Sequence, residues 1–217
     1  LSVKPVNDNT TGTMLVKNQG GSNIMAVDTT NSLVKVGASQ VASTTQYAYF
    51  GVSATTSANY AANTHYAVPF WSAVGTTASQ GDIDFGTGTD PDTSFTTADT
   101  DSQYASQLVV MMWRVMDNIT IDSVVSFEGA DTATGDTTRM HLKRYDFTSG
   151  ATNCLSNGTL LAHNSDVTNA GNEQPYLSTW TVDSADVDAE KVILCFFRSD
   201  SVNSDYALSV QVKYHIR

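Results

Sequence analysis

The chain of 217 residues has few charged side chains and no long apolar run. Asp, Glu, Lys and Arg make up 15% of it, against roughly 25% in an average globular protein. No apolar stretch approaches the ~20 residues that a membrane-spanning helix needs, so we expect no membrane insertion. Lys and Arg number 11 against 22 Asp and Glu, a net charge of -11. Such a surface repels phosphate backbones, so we expect no nucleic-acid partner.

Cysteine is also scarce, and neither Cys154 nor Cys195 has the spacing of a zinc or redox motif. Cys195 lies in the apolar run 192–197, where a buried thiol is expected, and Cys154 lies in a polar turn region. Whether the two form a disulfide stays open, because the answer depends on the redox compartment.

Motifs of the common enzyme classes are missing. The chain contains no G-x-S-x-G, H-E-x-x-H, P-loop or dinucleotide-binding fingerprint. No two of its four histidines have metal-ligand spacing. We therefore predict that the protein is not an enzyme. A glycan hydrolase remains an alternative, because two aspartates held about 5 to 9.5 Å apart would suffice.

Almost the whole chain has the periodicity of β-strands. Apolar residues alternate with polar ones or come in short β-branched and aromatic runs. Ser, Thr, Asn, Asp and Gly separate these runs, and such residues favour turns. No stretch has a convincing helical face, so we predict an all-β fold.

Residues 1–44 are predicted to form a separate stem or shaft domain of short β repeats. Their apolar units are about five residues long and are joined by Gly- and Asn-rich turns. An isolated hairpin of this size is marginal in water, so sister copies intertwined about an axis would have to cover its apolar residues. The alternative is that these strands belong to the same sandwich as the rest. The side chains expected to face a three-fold axis are Leu15, Ile24, Val27 and Val34.

Residues 45–217 are predicted to form a C-terminal head domain, a jelly-roll-like β-sandwich. The run 108–116 is apolar on both faces and is predicted to be a central strand. Asp117 and Asn118 then form a predicted hairpin turn to the next strand. The nine predicted strands are 47–52, 66–74, 108–116, 119–128, 138–147, 158–163, 176–182, 191–198 and 206–216.

Part of the stem resembles a known family. The segments GTMLVKN at 12–18 and NIMAVDTTNSLVKVG at 23–37 resemble repeat segments of the tail fibres and head fibres of tailed bacteriophages, marine ones especially. The resemblance implies a homotrimer on the virion surface or otherwise extracellular, with a narrow stem and a globular head. It implies attachment to a host-surface glycan or protein receptor. No binding residue can be carried over from it.

Two other functions stay open beside host attachment. The first is a capsid-decorating or head-fibre structural protein. The second is a carbohydrate-binding module or adhesin, which would be monomeric and calcium-dependent or calcium-independent.

An acidic segment, 81–101, lies in a span without Lys or Arg that runs from Lys35 to Arg114. Clustered carboxylates repel one another, and Ca²⁺ would relieve the repulsion by taking six to eight oxygen ligands. The EF-hand pattern is not met, so the alternative is a solvated acidic loop. No other cofactor is indicated. The candidate calcium ligands are Asp82, Asp84, Asp90 and Asp92.

Aromatic residues around the two long loops are the candidate binding residues, since they can stack on sugar rings or contact a receptor protein. Trp113 and Trp180 lie in strong strand patterns and are instead predicted to pack the core. The candidate stacking residues are Tyr60, Tyr66, Trp71 and Tyr104.

Overall fold

The computed structural model of the chain describes residues 12–30, 33–36, 40–41, 45–52, 61–70, 84–88, 94–96, 105–131, 134–171, 174–201 and 205–217. These residues form 17 strands and one short helix, which confirms the predicted all-β class. The chain divides into two compact units, Leu1–Gln46 and Tyr47–Arg217, here called the stem unit and the head unit. Within the described part, no helix is long and apolar enough to cross a membrane.

The stem unit is a single antiparallel sheet. Its strands are paired in chain order, β1 to β4. The turn after β1 is tight: Asn18 Oδ1 accepts a hydrogen bond from the Ser22 amide at 2.9 Å, and Gly21 takes the left-handed φ of 80° that favours glycine. The strands are β1 (Met14–Lys17), β2 (Asn23–Asp28), β3 (Leu33–Val36) and β4 (Gln40–Val41).

Strand pairing divides the apolar side chains of the stem between two faces. Directly paired residues of antiparallel strands share a face, and neighbours along a strand alternate. Val27 pairs with both Met14 and Val34, whereas Leu15 pairs with Ala26. Leu15 therefore lies on the face opposite to Val27, as does Ile24. Leu15, Ile24, Val27 and Val34 therefore do not all share one face of the stem sheet, and assembly about a three-fold axis stays a prediction.

The head unit contains two antiparallel sheets. The larger has the order β14-β11-β10-β16-β6-β7, with β12 beside β10 and β8 beside β16. The smaller has the order β13-β9-β17-β5, with β15 beside β9. The strands are β5 (Thr45–Val52), β6 (Thr64–Val68), β7 (Asp84–Thr87), β8 (Trp113–Arg114), β9 (Ile119–Asp131), β10 (Thr137–Phe147), β11 (Leu155–His163), β12 (Val167–Thr168), β13 (Gln174–Thr179), β14 (Thr181–Val182), β15 (Asp186–Val187), β16 (Val192–Ser199) and β17 (Asp205–Ile216).

The two sheets pack face to face around the main core. Phe50 and Val210 of the smaller sheet share one buried cluster with Leu142 and Phe197 of the larger sheet. Burial of each such side chain contributes about 1.5–3 kcal/mol. The head is therefore a β-sandwich.

A second cluster covers the opposite face of the larger sheet. The helix α1 (Ala105–Met111) contributes Leu108 and Met111, which pack with Tyr145 and Phe196. Strand β16 is therefore buried on both faces, and this explains its unbroken apolar sequence.

Helix α1 corrects the prediction of a central strand at 108–116. A segment that is apolar on all sides fits a buried helix as well as a buried strand. Here the residues up to Met111 form a helix that covers the larger sheet, and only Trp113–Arg114 form a strand. The predicted hairpin at Asp117 and Asn118 is also wrong, because β8 pairs in the larger sheet and β9 in the smaller.

Most other strands of the head agree with prediction: β9, β10, β11, β16 and β17 overlap the expected runs. The predicted strand 176–182 instead breaks at Trp180, and its two halves join different sheets. Trp180 and Trp113 are buried in the main core, as predicted. The indole nitrogen of Trp180 donates a hydrogen bond to Ser126 Oγ at 2.9 Å.

Cys154 and Cys195 are both buried and do not form a disulfide. Cys195 packs in the main core and Cys154 in the second cluster, so the larger sheet lies between them. Burial in this apolar surrounding raises the pKa of the Cys195 thiol above its ordinary range.

Candidate functional site

Of the eight predicted site residues, the structure describes Tyr66 in full and the backbone of Asp84. Tyr66 lies on β6, an interior strand, and is only 7% exposed. Its hydroxyl accepts a hydrogen bond from the Ala61 amide at 2.7 Å. Its ring therefore packs in the main core, which corrects its assignment as a surface stacking residue. Tyr60, Trp71, Tyr104, Asp82, Asp90 and Asp92 lie outside the described residues.

Asp84 is the first residue of β7 and pairs with Tyr66 on β6. Among the described residues, no group of three or more His, Cys, Asp or Glu side chains could hold a metal ion. The calcium prediction therefore stays a prediction for the segment 81–101.

Exposed aromatic side chains lie on the outer side of the smaller sheet. Alternation along β5 buries Ala48 and Phe50 and turns Tyr47 and Tyr49 outwards. Phe127 on β9 and Leu177 on β13, which β17 separates from β5, are register partners and also point outwards. All four outward side chains are between 47% and 64% exposed. We call Tyr47, Tyr49, Phe127 and Leu177 the aromatic face.

The sheet positions around Phe127 carry no charge. Phe127 pairs with Leu177 on one side and Ser209 on the other, and the rows before and after it follow the same register. In a chain of net charge -11, this is a neutral surface with exposed rings, suited to a sugar or a neutral protein patch. The residues of those two rows are Val125, Gly129, Pro175, Thr179, Ala207 and Gln211.

A small cleft, lined by strands of both sheets, contains one buried carboxylate and one buried amide. Its volume is about 10 Å³, which is room for one water-sized group. We call it the Glu128 cleft, and its lining residues are Glu128, Gly129, Thr138, Val167, Asn169, Tyr176 and Tyr206.

Glu128 is a buried carboxylate, 4% exposed, on an inward position of β9. Its Oε2 accepts a hydrogen bond from Thr138 Oγ1 at 2.5 Å. Its Oε1 accepts from Ser178 Oγ at 3.2 Å and from Asn164 Nδ2 at 3.4 Å. Burial raises the pKa of Glu128, and these three hydrogen bonds partly oppose the rise.

Asn169 brings an unsatisfied amide to the same cleft. It is 5% exposed, and its backbone is held by Asp136 and Gly135 at 2.9 and 2.7 Å. Neither Oδ1 nor Nδ2 of its side chain has a hydrogen-bond partner. A buried polar group without a partner costs about 1–3 kcal/mol, so the side chain has capacity for one further polar group.

Two tyrosines complete the wall of the cleft. The Tyr176 hydroxyl accepts from the Ala170 amide at 2.8 Å and donates to Gln174 Oε1 at 2.7 Å. Tyr206 is buried, with its hydroxyl 2.6 Å from Ser199 Oγ. Both rings are therefore held in fixed positions.

Buried histidines form a separate cluster on the other face of the larger sheet. The rings of His65 and His141 lie 5.4 Å apart, and His141 stacks on Phe196 at 4.9 Å. Burial, together with the nearby charges of Arg198 and Lys143, lowers the pKa of His65 to about 4. Burial also lowers the pKa of His141 well below its ordinary value. Both rings are neutral at pH 7.

Sequence reasoning missed the aromatic face and the Glu128 cleft. The alternation of Tyr47 and Tyr49 with Ala48 and Phe50 is a visible signal that one face of β5 carries rings. For the cleft, the signal is an acid at an inward position of a clearly alternating strand. No protein-family model matches the chain, and no curated protein matches it.

Proposed function

We propose that the chain is a component of a virion fibre or spike: a homotrimer whose jelly-roll-like head attaches to the host-cell surface without acting as an enzyme. The receptor is a surface glycan or a surface protein. The observation that carries the proposal is an uncovered apolar face on the stem unit. This role places the protein on the virion surface, outside the cell.

The uncovered face follows from the register of the stem sheet. Along the paired residues of β1, β2 and β3 it carries six apolar side chains, and none of the six is buried. The four on β1 and β3 are each between 39% and 45% exposed. We call this set the apolar stem face, and its residues are Met14, Val16, Met25, Val27, Val34 and Val36.

The opposite face of the stem is more mixed. It exposes Leu15 and Ile24 but also carries Asp28, fully buried, whose Oδ2 accepts a hydrogen bond from Lys35 Nζ at 2.9 Å. Because the Asp28–Lys35 ion pair lies on this side, the six residues of the apolar stem face can pack against identical faces without desolvating that pair.

Covering the apolar stem face is worth a few kcal/mol per copy, since full burial of one aliphatic side chain contributes about 1.5–3 kcal/mol. Identical copies are the natural partners, because each supplies a surface of the same chemistry. Three copies would also present three heads, and avidity then multiplies weak single-site binding.

The aromatic face supports the attachment role. It offers exposed rings and no charge on a protein that is otherwise strongly acidic, and so favours a neutral receptor over an anionic one. In the Glu128 cleft the described lining residues supply one carboxylate, whereas the usual glycosidase mechanism needs two.

Light scattering after gel filtration tests the assembly. The chain should elute as a trimer, and Val16→Lys with Val34→Lys should convert it to monomer, because six buried ammonium groups per trimer would be unpaired. Met116→Lys, at an exposed apolar position of the head, is the matched control and should remain trimeric. A stable monomer of the unmodified chain in dilute solution would overturn the proposal.

A glycan array tests the attachment role on the same samples. We expect binding to one class of neutral glycan, reduced by Tyr47→Ala with Tyr49→Ala. A monomer that still binds glycans would indicate a carbohydrate-binding module or adhesin, the second candidate, which the aromatic face serves equally well.

A further inference from the structure

We propose that the Glu128 cleft is a binding site for one hydroxyl group of a neutral sugar, held between the Glu128 carboxylate and the Asn169 side-chain amide. The inference rests on the receptor-binding role proposed for the head and names a second contact point for that receptor. It does not depend on how many copies assemble.

The hydrogen-bonding groups of the cleft match a hydroxyl. A hydroxyl donates one hydrogen bond and accepts others. The Glu128 carboxylate only accepts, whereas the Asn169 amide carries an acceptor and two donors that have no partner. A hydroxyl that donates to Glu128 and accepts from Asn169 Nδ2 would satisfy both residues.

Charge excludes the other small ligands. An anion would be repelled by Glu128, which is the one charged side chain among the described residues that line the cleft. A calcium ion takes six to eight oxygens, commonly from several carboxylates, and one carboxylate does not supply them. A neutral polar group is therefore the best match.

The volume of the cleft limits how much of the ligand enters. About 10 Å³ holds one hydroxyl but not a sugar ring. The ring would stay outside and contact Tyr176, which is half-buried on the rim. Because hydrogen bonds to Ala170 and Gln174 already fix the Tyr176 hydroxyl, little ordering is needed on binding.

The Asn169 side-chain amide provides a direct reporter. In ¹H–¹⁵N spectra of the labelled protein, its NH₂ signals are identified as those lost in Asn169→Leu. The probes are the methyl glycosides of glucose, galactose, mannose and N-acetylglucosamine, added in turn at millimolar concentrations. We expect at least one probe to shift these signals in a saturable manner.

Variants separate binding in the cleft from binding elsewhere. Asn169→Leu and Glu128→Gln should each lower the affinity for the glycoside that binds by at least tenfold. This is about the contribution of one hydrogen bond to a charged or buried partner. Glu128→Gln keeps the shape of the side chain, so it serves if Asn169→Leu does not fold. Asn153→Leu, at an exposed position in the turn after β10, is the control and should bind like the unmodified chain.

Three results would overturn the inference. If no glycoside shifts the Asn169 signals, the cleft holds only an ordered water. If calcium chloride shifts them and sugars do not, it is a cation site. If a sugar binds Asn169→Leu unchanged, the sugar lies elsewhere. Light scattering on the same samples reports assembly independently, so a failure of the cleft is distinguishable from a failure of the trimeric fibre.

Discussion

The two units of this chain bury their apolar residues in different ways. The head has two sheets and a helix, so the larger sheet is covered on both faces and β16 is almost entirely inaccessible. The stem has one sheet, and six apolar side chains on one of its faces remain accessible. The same periodicity therefore leads to a closed core in one unit and to an accessible apolar face in the other.

The largest expected effect is that of truncating a buried aromatic ring in the head. Phe197→Ala in the main core of the head should lower the free energy of unfolding by about 3–5 kcal/mol, the usual cost of deleting a buried aromatic side chain. Chemical denaturation of the head unit, followed by tryptophan fluorescence, measures it. A loss below about 1 kcal/mol would mean that the two sheets are not packed as described.

Val34→Ala is the matched truncation in the stem. In isolated copies it should cost less than about 1 kcal/mol, because the side chain is already partly in water. If copies cover the apolar stem face, its effect on the melting temperature should increase with protein concentration. A concentration-independent effect would contradict that cover.

A pH-dependent effect concerns the buried histidines of the head. The folded pKa of His65 is about 4, against 6.5 for the free side chain. As the pH falls below 6.5, His65 binds a proton in the unfolded chain but stays neutral in the folded chain. Stability is therefore complete above pH 6.5 and is lost between pH 6.5 and 4, by about 3 kcal/mol for this residue.

His65→Gln should remove most of this loss, as measured by thermal melts at pH 7 and pH 4.5. His215→Gln, at a partly exposed histidine beside Asp122, is the control for histidine replacement in general. If the loss of stability between pH 7 and pH 4.5 is the same in His65→Gln as in the unmodified chain, protonation of His65 is not its cause.

These comparisons also show what sequence could predict. Strands β9, β10 and β17 alternate cleanly, and in such strands one side must face a core, so their positions were predictable. The run around Leu108 was not, because uniform apolarity does not distinguish a covered strand from the helix that covers it. Tyr66 was misassigned because a residue near a loop was taken as exposed, although its strand lies inside the larger sheet.

The cleft was beyond prediction for a different reason. Glu128 and Asn169 belong to different sheets, and only the sandwich brings them to one cavity. Alternation indicates that Glu128 points inwards, but it does not identify the residues that meet it there.

A further effect concerns the ion pair between Asp28 and Lys35 in the stem. Asp28 is fully buried and pairs with Lys35, whose side chain is one-third exposed. Asp28→Asn should cost about 1–2 kcal/mol, since it weakens a charge-assisted hydrogen bond and leaves a buried polar group less well satisfied. Lys35→Met should cost less, because part of that side chain is in water. Melting curves of both variants at one protein concentration test which variant loses more stability. A larger loss in Lys35→Met would show that Lys35 contributes more than its pairing with Asp28.

The smallest expected effect is at Glu128 and has the opposite pH dependence to that of His65. Its folded pKa is raised by burial, so the charged form is the one that folding disfavours. The stability that it contributes is fully present below the unfolded pKa of 4.5 and is lost as the pH rises through the folded value. Glu128→Gln removes this loss, and the stability of this variant relative to the unmodified chain should therefore increase from pH 4 to pH 7. Thermal melts of the two proteins across this range measure the difference. A flat difference would mean that Thr138, Ser178 and Asn164 compensate the burial of the carboxylate completely.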